Sequence, residues 1–208
     1  MTDGQHVLAG IELLLTHAHP RLTPESRGHL VGLGKHAKAL ALPTAEKEKD
    51  IRNNPRWSKY ERREKLSQLI PDAQSLASGI LNDKAKLDAK LARLTVTLSE
   101  VPPRHSEPTL RQLRGMEIRQ TLRSLAETER VKFYMAAAEA NNVELLDAIL
   151  QSPEPLIAEE IKTRGVQAWA DKTMPQTVQE AAQARELSEQ LGALLTMTNA
   201  WIAGLEAK

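Results

Sequence analysis

The chain has no cysteine, which excludes a disulfide framework and thiolate metal sites and is compatible with a reducing compartment. Aromatic residues are nearly as scarce, with one Phe, two Tyr and three Trp among 208 residues. The apolar content is therefore mainly Leu and Ala, which favours helices packed through small and aliphatic side chains over sheets. No apolar run approaches the roughly 20 residues that a membrane-spanning helix needs. Asp3 and His6 precede only a short apolar stretch, with no basic lead and no small-residue cleavage site, so no signal peptide is expected and the chain reads as cytoplasmic where made. An excess of charge is lacking too: 28 Lys and Arg face 27 Asp and Glu. That balance disfavours a protein whose main work is coating nucleic acid, while leaving room for a local basic patch.

Motifs of chemistry are also missing. The sequence holds no nucleophile elbow, Walker loop, kinase signature, zinc-ligand spacing or dinucleotide fingerprint. Acids that cluster, such as Glu159-Glu160 and Glu46/Glu48, are adjacent or two apart on helices, so they point apart and read as solvated faces. His6, His17, His19, His29 and His36 fall in the first two helices, but His29 and His36 stand about 10 Å apart along the axis, too far to share one ion unaided. Neither His-Glu-x-x-His nor Glu-x-x-His occurs, so no metal, cofactor or catalytic residue is assigned and enzymatic activity is not expected. Gly28, Gly32 and Gly34 each weaken their helix by about 1 kcal/mol; a close helix crossing would account for them.

What is present is helical period, and the expected fold is all-α. Residues 1–42 form an N-terminal helix pair: a first helix over 2–18 ended by His19-Pro20, and a second opened by Thr23-Pro24-Glu25 and closed before Pro43. Residues 43–56 read as a polar, charged, solvated connector. From Leu66, through Leu76, Ile80, Leu87, Leu91 and Leu98, one stripe runs for about nine turns, with Pro71 bending it or splitting off 57–70 as a helix of its own. Val101-Pro102-Pro103 then turns the chain back. Ser106 is the expected cap of a second arm, whose face is Ile118, Leu122, Leu125, Phe133, Ala136 and Ala140 and whose kink is Asn141-Asn142. Residues 57–151 are thus expected as a long antiparallel hairpin, with 152–208 forming C-terminal helices that pack on it.

Three groups of residues stand out as candidate contacts. Arg56, Trp57, Lys59, Tyr60, Arg62 and Arg63 interleave bases with aromatics, which suits a phosphate backbone or an acidic protein surface and equally suits a helix start anchored by its two rings. Lys84 and Glu129 interrupt the two seams with opposite charges that could pair across the hairpin, or with a neighbouring chain, to fix register. Leu110, Leu113, Val131 and Met135 lie off the main stripe of the second arm, and a helix apolar on two sides is sandwiched, by its own chain or by another subunit. Near the end, Trp201, Ile202 and Leu205 form a stripe that is core, or anchors another subunit if the helix tip is exposed. Arg111, Arg114, Arg119, Arg123 and Arg130 gather on a third side, as solvated arginines or as a partner contact.

The run Arg119-Gln120-x-Leu122-Arg123-x-Leu125, followed by Ala138-x-Ala140-Asn141-Asn142-x-x-Leu145-Leu146-x-Ala148-Ile149-Leu150-x-Ser152-Pro153 and then a Trp, a Pro and a Leu-rich helix, resembles small all-helical proteins. These are encoded among the head and neck genes of tailed phages and prophages. The likeness covers residues 111 to about 175, and the Gly-Asp pair expected at the helix junction is Asn-Asn here. It implies a virion-located structural or assembly protein, made in the host cytoplasm, that is a homo-oligomer or joins other virion proteins through helix contacts. It carries over no functional residues. The alternative expectation is a nucleic-acid-binding accessory protein using the 56–65 segment, separable from the first by the salt dependence of binding.

Overall fold

In a computed structural model, residues 2–16, 24–104 and 106–206 are described, and among them there are nine α-helices and no strand. The helices are α1 (Asp3–Thr16), α2 (Pro24–Asn53), α3 (Lys59–Ser67), α4 (Ile70–Ser99), α5 (Pro108–Arg123), α6 (Glu127–Glu139), α7 (Val143–Leu150), α8 (Glu159–Thr173) and α9 (Pro175–Glu206). The chain divides into two compact units, one of residues 1–91 with 182–208, the other of residues 92–181. The fold is all-α, and no described helix is long and apolar enough to cross a membrane.

In the first unit α1 packs along α2, around a core that includes Val7, Ile11, Ala41, Leu76, Leu191 and Trp201. Helix α1 meets α9 through small residues: a Cβ on Gly4 would come within 3.0 Å of Trp201 Cε2, and one on Gly10 within 3.0 Å of Met197 Cε. Two of the glycines suspected of a close crossing do not make it, since Gly28 and Gly32 have open space where a side chain would stand, whereas Gly34 is buried. The expectations placed on His17, Ala18, His19, Pro20 and Thr23 lie outside the described residues.

Residues 43–53, expected in a solvated connector, continue α2 without a break. Ala41, Thr44, Ala45, Glu48 and Ile51 keep one face of that helix buried, so the apolar stripe runs past Pro43 on small residues that a search for Leu and Ile overlooks. Pro43 offers no N–H to the carbonyl of Ala39, and interior proline disfavours a helix by about 3 kcal/mol relative to alanine. Because Pro43 is exposed, Pro43→Ala is expected to raise stability by up to about 3 kcal/mol. Urea unfolding followed by circular dichroism checks this, and a lower midpoint would show that the rest of the unit is fitted to the proline.

Pro71 sits in the first turn of α4, so α3 is a separate helix. A capping box starts it: Ser58 Oγ accepts from the Glu61 N–H at 3.2 Å and the Glu61 carboxylate accepts from the Ser58 N–H at 2.7 Å. Ser58 holds the Glu61 carboxyl below the usual carboxylate range, through its backbone N–H most strongly and its hydroxyl next.

The second unit replaces the expected second arm with three helices, and most of α4 belongs to the first unit. The two arms of the expected 57–151 hairpin therefore lie largely in different units. No proline or glycine marks the break between α5 and α6. Ser124 donates from Oγ and from N to the Thr121 carbonyl, at 2.7 and 3.2 Å, a local bond that competes with helix continuation. The restart rephases the stripe: Tyr134, Ala137 and Ala138 are buried in α6, whereas Phe133, Ala136 and Ala140 are exposed. At the start of α5 the cap is Glu107 rather than Ser106, without a side-chain bond, and Pro108 occupies the first turn.

The Asn141-Asn142 junction closes α6 and opens α7. Asn141 adopts φ 55°, the left-handed conformation that asparagine tolerates better than most residues. Its N–H and that of Asn142 donate to the carbonyls of Ala138 and Ala137, a Schellman closure. Asn142 Oδ1 then accepts from the Leu145 N–H at 3.2 Å, while Asn141 Oδ1 accepts from Trp169 Nε1 at 2.8 Å. Lys172 donates to the Glu139 carbonyl, so α8 covers an orphan carbonyl at the end of α6.

Candidate functional site

The basic and aromatic residues of the 56–63 stretch separate into two groups once α3 is capped. Trp57 is half-buried against the first core and carries Lys65 Nζ 4.8 Å above its ring. Arg62 turns back to donate from Nη2 to the Asn54 carbonyl at 2.9 Å. These two residues anchor the helix. Arg56, Lys59, Tyr60 and Arg63 are exposed, Tyr60 by 77%. Lys59, Tyr60 and Arg63 share one side of α3 because they stand three and four residues apart. Glu61 is drawn into the cap, and both it and Glu64 are exposed acids on α3.

Lys84 and Glu129, offered as a register pair, lie in different units, and the charge of Lys84 is met on its own helix. Lys84 Nζ bonds the Asp88 carboxylate at 2.6 Å, one turn along its own helix, and Asp88 also accepts from Ser188 on α9. Those two bonds, that from Lys84 first, hold the Asp88 carboxyl below its ordinary range. Glu129 lies exposed in the first turn of α6 in the other unit, where an acid suits the positive end of the helix.

Among the residues offered as subunit contacts, Trp201 and Leu205 are each 1% exposed and belong to the first core, and Ile202 is half-buried against it. They hold α9 to its own unit, contrary to the anchor reading. Val131 and Met135 are half-buried against the second core. Leu110 and Leu113 are exposed by 39% and 55%, and Met116, three residues further on, by 55%. Spaced by three, they form an exposed apolar row on α5.

The arginines of α5 are mostly paired rather than solvated. Arg111 grips Asp147 on α7 with Nε at 2.7 Å and Nη2 at 2.5 Å, a bidentate fork on a carboxylate that is 6% exposed. Arg119 Nη1 donates to the Ala148 carbonyl at 3.2 Å, and Arg123 bonds Glu154 at 2.8 Å. Arg104 bonds Glu144 at 3.1 Å, and Arg114 bonds Glu117 at 2.9 Å. Beside the fork lies a groove of about 500 Å³ whose walls include Arg111, Gln112, Arg119, Asp147, Gln151 and Pro153.

One buried polar site was missed by the pairing of Glu46 with Glu48 as a solvated face. Glu46 is exposed, but Glu48 is fully buried. Its Oε2 accepts from the Gly4 N–H at 3.0 Å and from Trp201 Nε1 at 2.9 Å, and its Oε1 from Arg52 Nε at 2.7 Å. The sequence signal was the Glu48/Arg52 pair four apart on the same face as Ala41, Ala45 and Ile51.

Comparison with protein-family models, with curated proteins and with solved structures gives no match to this chain.

Proposed function

We propose that the chain is a non-enzymatic structural or assembly protein that joins copies of itself through helix contacts, in the head or neck of a tailed phage. The observation that carries this reading is the exposed row Leu110, Leu113 and Met116 on α5: three large apolar side chains aligned in water are suited to a protein neighbour. The phage setting rests on the resemblance over residues 111 to about 175. At micromolar concentration, light scattering coupled to size exclusion is expected to give a mass above that of one chain. Leu113→Asp, at an exposed position, should return it to the mass of one chain without loss of helical signal. A monodisperse single chain for the unaltered protein, with no affinity for other virion proteins, would overturn the proposal.

A second reading is nucleic-acid contact through α3, favoured by the joint exposure of Arg56, Lys59, Tyr60 and Arg63. Retention on DNA that falls steeply as salt rises, and is lost in Lys59→Gln/Arg63→Gln, would support it, whereas assembly through α5 should hold or strengthen with salt.

A further inference from the structure

The α5–α7 groove contains a half-used recognition device. Arg111 presents its Nε/Nη2 edge to the Asp147 carboxylate, the geometry in which a guanidinium holds a planar carboxylate by two parallel bonds. Arg119 lines the same groove, and its hydrogen bond is made by Nη1, to the Ala148 carbonyl. The Nε/Nη2 edge of Arg119, equivalent to the edge that Arg111 uses, makes no bond. Gly115 leaves room for this pose: a Cβ there would stand 2.9 Å from Arg119 Nη1, the end of a flexible side chain.

Two guanidiniums against one carboxylate leave the charged lining with a single positive charge. A ligand carrying one negative charge neutralises it. A multiply charged phosphate would instead bring its excess charge up to Asp147, which is fixed in place. The proline walls at Pro103, Pro108 and Pro153 suit an apolar stem, and a volume of about 500 Å³ lies within the range of small-ligand sites.

We propose that the α5–α7 groove binds a carboxylate-bearing ligand, whose carboxylate sits on the Nε/Nη2 edge of Arg119 as Asp147 sits on that of Arg111. Either a small organic acid or an acidic side chain of a protein segment supplies that carboxylate, and the site is independent of the α5 row that carries the assembly reading. The test titrates the ¹⁵N-labelled full chain with butyrate and with the blocked tetrapeptide Ac-Ala-Ala-Pro-Asp-NH₂, each carrying one negative charge, following the arginine Nε–H signals. The Asn counterpart of the peptide and inorganic phosphate serve as controls. Expected is a saturable shift of the Arg119 signal with at least one carboxylate and none with the Asn peptide; whichever carboxylate binds more tightly identifies the source. Arg119→Gln should weaken binding by about tenfold or more. Arg119→Lys, which keeps the charge but not the fork, should fall between. Because Arg119 is only half-buried, Arg119→Gln is expected to remain folded. No shift with either carboxylate, tighter binding of phosphate than of both, or unchanged affinity in folded Arg119→Gln would each overturn the proposal.

Discussion

Trp201→Ala is expected to destabilise the protein by about 3–5 kcal/mol, the range for deleting a fully buried large aromatic. Trp201 is 1% exposed and packs in the core shared by α1, α2 and α9, so its removal leaves a cavity that three helices cannot all close. The polar part of the loss runs through Glu48. The indole N–H is one of three donors that satisfy this buried carboxylate, with the Gly4 N–H and Arg52 Nε, and a buried charge that loses a donor is raised in free energy. Trp201→Phe separates the two parts, keeping most of the apolar volume and removing the donor, and should cost about 1–2 kcal/mol. Glu48→Ala should approach the loss of Trp201→Ala, since it leaves the Arg52 guanidinium, whose Nη2 is already buried without a partner, facing a void. Urea midpoints of the three variants measure this ordering. A Trp201→Ala variant within about 1 kcal/mol of the parent would mean that the tip of α9 is not seated on α1 and α2, and would return Trp201 to the role of an exposed anchor.

The all-α class was legible because it rests on composition and period, which are properties of the chain taken alone. Several boundaries were legible for the same reason: Pro71 and Pro175 fall in first turns, and Asn141-Asn142 ends a helix. Where the reading of the sequence departed from the structure, either tertiary packing had overruled a local signal or a local bond had ended a helix with no proline or glycine to mark it. Pro43 looked like a terminator, yet buried alanines and Glu48 on both sides of it keep α2 continuous. Ser124 looked innocuous inside a helix, yet its bonds to the Thr121 carbonyl end α5 and rotate every later side chain, so Phe133 emerges on the surface and Tyr134 goes inside. The hairpin depended on that phase being continuous. Partners separated widely along the chain, such as Arg111 with Asp147 or Trp201 with Glu48, carry no short-range pattern, which is why the paired arginines read as a solvated cluster.

The same reasoning bears on where contacts with other chains are sought. The apolar side chains at the end of α9 are consumed by their own core, whereas those at Leu110, Leu113 and Met116 are not. The assembly proposal therefore moves from the terminus to α5. That helix presents its apolar row away from the face on which Arg111 and Arg119 meet α7, since residues 110, 113 and 116 and residues 111, 115 and 119 fall on different sides of a helix. An assembly contact and a carboxylate site can thus coexist on one helix without competing.

Gly165→Ala should destabilise by about 3 kcal/mol, the upper end of the overpacking range. A Cβ at Gly165 would lie 2.1 Å from Tyr134 Cε1 and 2.7 Å from Cζ, and Tyr134 is fully buried with its hydroxyl donating to the Lys162 carbonyl at 2.8 Å. The ring has nowhere to yield without breaking that bond and separating α6 from α8, which pack together. A smaller side chain at 134 should relieve the clash, so Tyr134→Leu/Gly165→Ala should be more stable than the sum of the two single losses implies. Alkaline pH gives a second, independent readout. Burial first, and the Glu159 carboxylate next, push the Tyr134 hydroxyl from about 10 up to about 12. The unfolded chain releases this proton near pH 10 while the folded chain keeps it. The contribution to stability is therefore complete below about pH 10 and is lost by up to about 1.4 kcal/mol per pH unit as pH rises toward 12. Tyr134→Phe should lack this component of the decline, read as the difference between parent and variant in urea midpoints from pH 9 to 11.5. A Gly165→Ala protein as stable as the parent would show that the Tyr134 ring does not fill the space beside Gly165, and equal slopes in parent and Tyr134→Phe would show that its hydroxyl is not held out of water.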